Sequence, residues 1–168
     1  MGSYEQCTFV NCNFTKNKLF EVNFLECQFK DCDFSNADVH NAAFREVAFN
    51  NCKLIGLRFD TCNQFLLEFS FEDCVLDYAT FVELKIENTS FTKCSLIEVD
   101  FSDAVLKNAT FEHCDLSNAI FNKTNLTEAD FSTASNFMID PENNTIKNAA
   151  FSKENVINLL NRYSLVIK

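Results

Sequence analysis

FEDCVLDYATFVELKIENTSFTKCSLIEVDFSDAVLKNATFEHCDLSNAIFNKTNLTEADF, residues 71–131, places a large apolar residue on every fifth position without a miss: Phe71, Leu76, Phe81, Ile86, Phe91, Leu96, Phe101, Leu106, Phe111, Leu116, Phe121, Leu126 and Phe131. Two residues before these centres sit mostly small or apolar residues, as in Cys74, Ala79, Cys94, Val99, Ala104, Ala109, Cys114, Ala119 and Ala129. The unit is five residues long with two inward positions.

A period of five fits no simple regular element. On a helix at about 100° per residue, successive fifth positions rotate around the axis and leave no stripe. On one straight strand an odd step sends Phe71 and Leu76 to opposite faces. Both lie inside only when the chain turns a corner in every unit, which is a coil of very short strands stacked on itself, a solenoid.

The cysteines give the number of corners per coil. Six of the nine form one series, Cys12, Cys32, Cys52, Cys74, Cys94 and Cys114, with steps of 20, 20, 22, 20 and 20. Four units close one coil, each thiol lies above the last, and two extra residues enter between Cys52 and Cys74. Three-sided coils would need steps of 15. A Phe column at Phe9, Phe29, Phe49, Phe71, Phe91, Phe111 and Phe131 repeats the spacing.

Towards the N-terminus the register runs Phe9, Phe14, Leu19, Phe24, Phe29, Phe34, Val39, Phe44, Phe49, Leu54, Phe59. Asn17 is its misfit, a polar side chain at an inward position. Between residues 60 and 70 the register slips by two, which predicts a bulge or bend with Leu66 as the intervening centre, still packed on the core. After Phe131 the pattern frays, and Ile139-Asp140-Pro141-Glu142-Asn143-Asn144 reads as a turn. One more unit holds Ala149 and Phe151. Ser152 is a candidate N-cap for a helix over 153–163, followed by a strand-like Leu165-Val166-Ile167. The expected division is a coil over 1–137 and a C-terminal cap and dimerisation segment over 138–168.

With 20 Phe, no Trp, two Gly and one Pro, the core must be stacked rings, and long loops have no material to be made from. Nine cysteines are an odd count spaced by the repeat, and no apolar segment opens the chain. Reduced, buried thiols in a cytoplasmic protein are the expectation. Equal vertical steps do not build a tetrahedral metal cluster, and neither His40 nor His113 joins the series, so no metal or other cofactor is expected. Six Asn-x-Ser/Thr triplets follow from the corner composition and require no glycan. No run of 18 apolar residues is present for a membrane span.

Units such as Ala104-Val105-Leu106-Lys107-Asn108, Cys114-Asp115-Leu116-Ser117-Asn118 and Ala129-Asp130-Phe131-Ser132-Thr133 resemble the pentapeptide-repeat family, whose consensus is A(D/N)LXX. The resemblance covers residues 7–133 and implies an all-β solenoid, a right-handed quadrilateral parallel β-helix with a short C-terminal helix and strand. The ending from Asn158 to Ile167 further resembles the dimerisation helix and strand of the Qnr and MfpA subgroup. Those proteins are DNA-mimicking dimeric rods that bind DNA gyrase or topoisomerase IV and are linked to quinolone resistance. The resemblance implies a two-fold dimer through Val156, Leu159, Leu160, Tyr163, Leu165, Val166 and Ile167. Qnr proteins typically carry projecting loops that matter for protecting gyrase, whereas the irregularity here is a two-residue slip; MfpA-like members lack such loops too.

No catalytic constellation stands out, and an enzyme is not expected. The net charge is −10, from 24 acidic and 14 basic residues, so phosphates would be repelled and direct nucleic-acid binding is opposed. Threading the chain at 20 residues per coil, with two extra at the slip, predicts an outer column of Glu26, Glu46, Glu68, Asn88, Asn108 and Glu128. Beside it runs Glu21, Asn41, Thr61, Glu83, Asp103 and Lys123. Among the acids of these columns, Glu26, Glu46, Glu68, Glu128, Glu83 and Asp103 are the candidate partner-binding residues. At about 4.8 Å per coil, roughly six coils make a rod of about 30 Å, and a tail-to-tail dimer about 60 Å. DNA of that length carries roughly 35 charges. The sequence thus leaves two readings: a dimeric DNA mimic for a type II topoisomerase, and a scaffold for an unrelated protein whose acidity serves solubility.

Overall fold

The computed structural model describes residues 2–163, 165 and 166. The chain winds as a four-sided parallel β-helix. Its recognisable strands are β1 Ser3–Glu5, β2 Thr8–Val10, β3 Asn23–Leu25, β4 Gln28–Lys30, β5 Ala43–Arg45, β6 Val47–Asn50, β7 Phe69–Glu72, β8 Ser90–Thr92 and β9 Thr110–Glu112. They stack in parallel as β1-β3-β5 on one face and β2-β4-β6-β7-β8-β9 on another. The remaining sides are ladders of single bridges, such as Asn13, Asp33, Lys53, Val75, Ser95, Asp115 and Ser135. Each of the first six of these residues follows one cysteine of the series, so the six thiols form one column, as the spacing predicts.

The corners explain the composition. At 25 positions the second residue after a centre, or its equivalent, adopts a left-handed conformation with φ between 51° and 62° although it is not glycine. None of the 25 is β-branched, the class for which this region is most costly. Asn and Asp, which tolerate it best, hold 12 of the positions. Gly56, at φ +65°, is the glycine that uses the same corner; a Cβ there would lie 2.9 Å from Asn36 Oδ1. The Asp or Asn before each centre has its own task. Asp33, Asp100, Asp115, Asn125 and Asp130 accept a hydrogen bond through Oδ1 from the backbone N–H two residues on, at 2.8–3.1 Å, and so close the turn.

Inside, the rings stack in register. The column Phe29, Phe49, Phe71, Phe91, Phe111 has centroid spacings of 5.2, 5.3, 5.2 and 5.1 Å with interplanar angles of 13° or less. A second column, Phe59, Phe81, Phe101, Phe121, meets the first edge to face. The nine thiols are free, and seven are buried. Burial pushes the Cys32 thiol up to about 11, and burial with the charge of Asp60 raises that of Cys62 as well. These thiols stay protonated and act as small apolar fillers. Asn17 is exposed in the open first coil, where its side-chain amide donates to the Asn13 carbonyl.

The slip departs from the expectation for Leu66. Pairing stays at 20 residues up to Asn63, whose N–H donates to the Ala42 carbonyl, and resumes at 22 where Val47 pairs Phe69. Between them Phe65 and Leu66 point to solvent, 67% and 66% exposed, with Leu66 in a left-handed corner. The reason is Phe69. It occupies an inward position that in the neighbouring coils holds the smaller Cys27, Val47, Thr89, Ala109 and Ala129, and its ring lies 5.2 Å from Phe59 and 5.0 Å from Phe71. With that ring filling the interior, no room remains for a centre on the neighbouring side, and residues 64–66 bulge outward. Arg45 covers part of the bulge, its guanidinium 5.5 Å above the Phe65 ring and its Nε donating to the Phe65 carbonyl.

The C-terminal end also differs. The ladder continues to Thr145 and Ala150. The helix is a 3-10 helix over Val156–Tyr163, shorter and tighter than the expected 153–163. Ser152 does cap the segment, its hydroxyl accepting from the Asn155 N–H at 3.1 Å. Asn155 then ties the start of the helix to the rod, its amide donating to the carbonyls of Phe131 and Ala134 at 2.8 and 3.1 Å. That anchoring draws the backbone onto the last coil and explains the late start. Leu165 and Val166 form no strand within the described residues, and Ile167 lies outside those residues.

Candidate protein-binding surface

The six candidate partner-binding acids, Glu26, Glu46, Glu68, Glu128, Glu83 and Asp103, are exposed, whereas Glu21 at the start of the second column is half-buried. Glu26, Glu46 and Glu128 occupy left-handed corners of one column, and Glu83 and Asp103 occupy those of the next. The corner conformation aims these side chains outward, because the inward positions are the centre and the residue two before it. Gln6 extends the first column downward, its amide donating to Glu26 at 2.9 Å, and Asn108 donates to Asn88 at 3.1 Å within the same column. Glu68 reaches this surface by another route. Leu66 takes the left-handed corner, and Glu68 stands beside Glu46 through the pairing of Val47 with Phe69. The column therefore carries three consecutive carboxylates, Glu26, Glu46 and Glu68, across an irregular stretch of backbone, with neutral Asn88 and Asn108 before Glu128.

Neither histidine joins an acid to form a site. His40 stacks on the exposed Phe20 ring at 5.7 Å, and His113 holds a left-handed corner of a different column. Among the described residues no three His, Cys, Asp or Glu side chains come together in a way that could hold a metal ion. No helix among them is long and apolar enough to cross a membrane.

At the other end the apolar residues of the 3-10 helix divide. Leu159 packs against the core, while Val156, Leu160 and Tyr163 are exposed, as are Leu165 and Val166. The helix is held by a clamp that the repeat pattern does not reveal. Arg162 Nη1 lies 2.7 and 2.6 Å from the two Asp140 carboxylate oxygens and 3.0 Å from Glu142 Oε2, and the Tyr163 hydroxyl donates to Glu142 Oε1 at 2.6 Å. An arginine 22 residues from its partner carries no local signal; it becomes legible only once a coil is known to bring residues about 20 apart into contact.

The hydrogen bond from the Arg162 guanidinium holds the Asp140 carboxyl below the usual carboxylate range. A carboxyl whose folded pKa is lowered contributes stability that is present above its unfolded pKa of about 3.9 and lost as pH falls through the folded value. Hydrogen exchange of the Leu159 and Leu160 amides should therefore speed up as pH is taken below about 4, after correction for intrinsic rates. Asp140→Asn should show the same loosening at neutral pH. Unchanged protection in the variant would mean that Leu159 and Asn155 hold the helix without the clamp.

A quadrilateral rod of five-residue units, lined by rings and faced with acids, defines a pentapeptide-repeat scaffold. The chain belongs to the pentapeptide-repeat family: the family's model, described as a pentapeptide repeat region, matches residues 3–81 and 42–121. No curated protein matches it by sequence. Among solved structures it is similar to a trypsin-treated variant of QnrB1, a plasmid-mediated fluoroquinolone resistance protein, with 19% identity, a TM-score of 0.71, and 99% of this chain and 90% of that one covered. HetL, involved in heterocyst differentiation regulation in the cyanobacterium Nostoc sp. strain PCC 7120, matches with 15% identity and a TM-score of 0.64, over 90% of this chain and 85% of that one. At these identities the likeness is one of fold.

Proposed function

We propose that the rod is a non-enzymatic DNA mimic that binds a type II topoisomerase, DNA gyrase or topoisomerase IV, as a homodimer and so bears on quinolone action. The observation that carries this reading is the pair of adjacent acidic corner columns, aimed outward from a rigid backbone on a chain of net charge −10. The resistance role of QnrB1, on the same fold, agrees with it. The partner is a protein whose own ligand is polyanionic, because the rod offers regularly spaced carboxylates and repels nucleic acid itself. The test is gyrase supercoiling with the purified protein titrated in, with and without a fluoroquinolone. Inhibition, or relief of the drug's effect, supports the reading; no effect at low salt overturns it. In that case a scaffold role for an unrelated protein, as HetL's part in differentiation illustrates for this fold, takes its place.

The dimer uses the exposed apolar side of the C-terminal segment, Val156, Leu160, Tyr163, Leu165 and Val166, with Ile167 beyond the described residues. Leu159 supports that surface from beneath. Light scattering on a chain ending at Phe151 should report a monomer or aggregates. A clean dimer would put the interface elsewhere.

A further inference from the structure

The hydrogen-bonded ladder on the side that holds Phe24 and Phe44 is interrupted at the register slip. In the regular coils, the residue before a centre and the residue after it give their carbonyls to the coil beneath: Val105 and Lys107 accept from the N–H groups of Ile86 and Asn88 at 3.0 and 2.8 Å. One coil lower, residues 64–66 have bulged away. No backbone N–H among the described residues reaches the carbonyls of Lys85 or Glu87, and Lys85 bridges upward to Val105 with no bridge below. The Lys85 N–H is left unpaired as well, one donor against these acceptors.

The gap is a cleft of about 420 Å³ spanning three coils, from β6 through β7 to residues 85–90. Glu46, Glu68 and Glu87 line it, with Lys85 as the cation among its lining residues. Thr89 lines it too; the residue is only 5% exposed, and its hydroxyl has no protein partner among the described residues and opens to the cleft. The contrast is Thr124, the other buried polar residue among the described residues, whose hydroxyl donates to the Phe101 carbonyl at 2.9 Å. The Thr89 hydroxyl, open to the cleft, and the carbonyls of the exposed residues Lys85 and Glu87, which no backbone N–H among the described residues reaches, join the carboxylates in an acceptor-rich and negatively charged lining.

We propose that this cleft receives one arginine side chain of a basic protein partner. The guanidinium presents five N–H donors in a plane, enough to satisfy the carbonyls of Lys85 and Glu87 and the Thr89 hydroxyl while meeting a carboxylate. It is also more weakly hydrated than an ammonium, so it enters a partly buried slot at lower cost. A divalent metal is the poorer fit, since no three ligating side chains converge there. The inference rests on the acidic columns being the partner-binding surface, to which Glu46 and Glu68 belong.

The test uses the full chain, isotopically labelled for NMR, and Nα-acetyl-argininamide as ligand, with Nα-acetyl-lysinamide beside it. The arginine derivative should shift the Lys85, Thr89 and Ser90 amides saturably and bind more tightly than the lysine derivative. The double change Glu68→Gln with Glu87→Gln should weaken it roughly tenfold. Glu98→Gln, at an exposed corner of another column, should leave it unchanged. Shifts spread evenly over all acidic corners, an equal loss in the Glu98 variant, or no saturable shift would overturn the proposal and leave the cleft to water. Arginine binding in a protein that does not affect gyrase would sink the topoisomerase reading alone; gyrase inhibition that survives the double change would sink the arginine site alone.

Discussion

Replacing Phe91 by Ala should cost about 3–5 kcal/mol, the usual range for removing a buried phenyl ring. Phe91 is fully buried, sandwiched between Phe71 and Phe111 at 5.2 and 5.1 Å and met edge-on by Phe81 and Phe101 at 6.0 Å. The rings around it are fixed by their own stacking partners and cannot collapse into the hole, so the cavity persists and its full cost is felt. Urea denaturation compared with wild type measures the loss. Lys93→Ala, two residues away at an exposed corner, should change stability by less than about 0.5 kcal/mol. Equal effects from the two changes would mean that the rings are not what holds the coils together.

Reversing charge in the first acidic column should have the largest functional effect. Glu26, Glu46 and Glu68 changed together to Lys should weaken topoisomerase binding roughly a hundredfold, at about a kcal/mol per reversed charge. The rod should fold as before, because Lys16, Lys93 and Lys123 already occupy left-handed corners equivalent to those of Glu26 and Glu46. Wild-type binding should also fall as salt rises and the Debye length shrinks below about 10 Å. Asp31 and Lys93, in a column on another corner, serve as the control, and changing them should matter little. If the triple variant acts on gyrase as well as wild type does, the acidic columns are not the contact surface.

The period of five, the four-sided coil, the cysteine column and the ring stacks were legible because each is a repeat, and a repeat multiplies a weak local signal. Outward placement of the acids followed from the same pattern. What escaped the sequence were single, non-repeating compensations. Phe69 looks like any other Phe until its position in the coil shows that it fills two places, and that filling is what ejects Leu66. Asn155 reads as one of many Asn residues, yet it ties the helix to the last coil. Arg162 finds Asp140 across a whole turn of the rod. The unpaired carbonyls of Lys85 and Glu87 are backbone groups, on which side-chain patterning is silent.

The constant rise per coil bears on what kind of imitation such a rod can make. A column of corners repeats about every 4.8 Å, set by strand spacing, whereas a duplex presents one charge per about 1.7 Å. Two neighbouring columns, even if every corner were acidic, would present one per about 2.4 Å, and here several corners are Asn, Thr or Lys. The two scales slide against each other like a vernier, coinciding only at intervals. A protein groove whose cations are spaced for phosphates would then feel the rod as a smeared negative field with a few points of true registry. Affinity in such a contact depends on how many acids remain more than on which ones, so single substitutions along the columns should be nearly interchangeable, and specificity must be set where the regularity breaks.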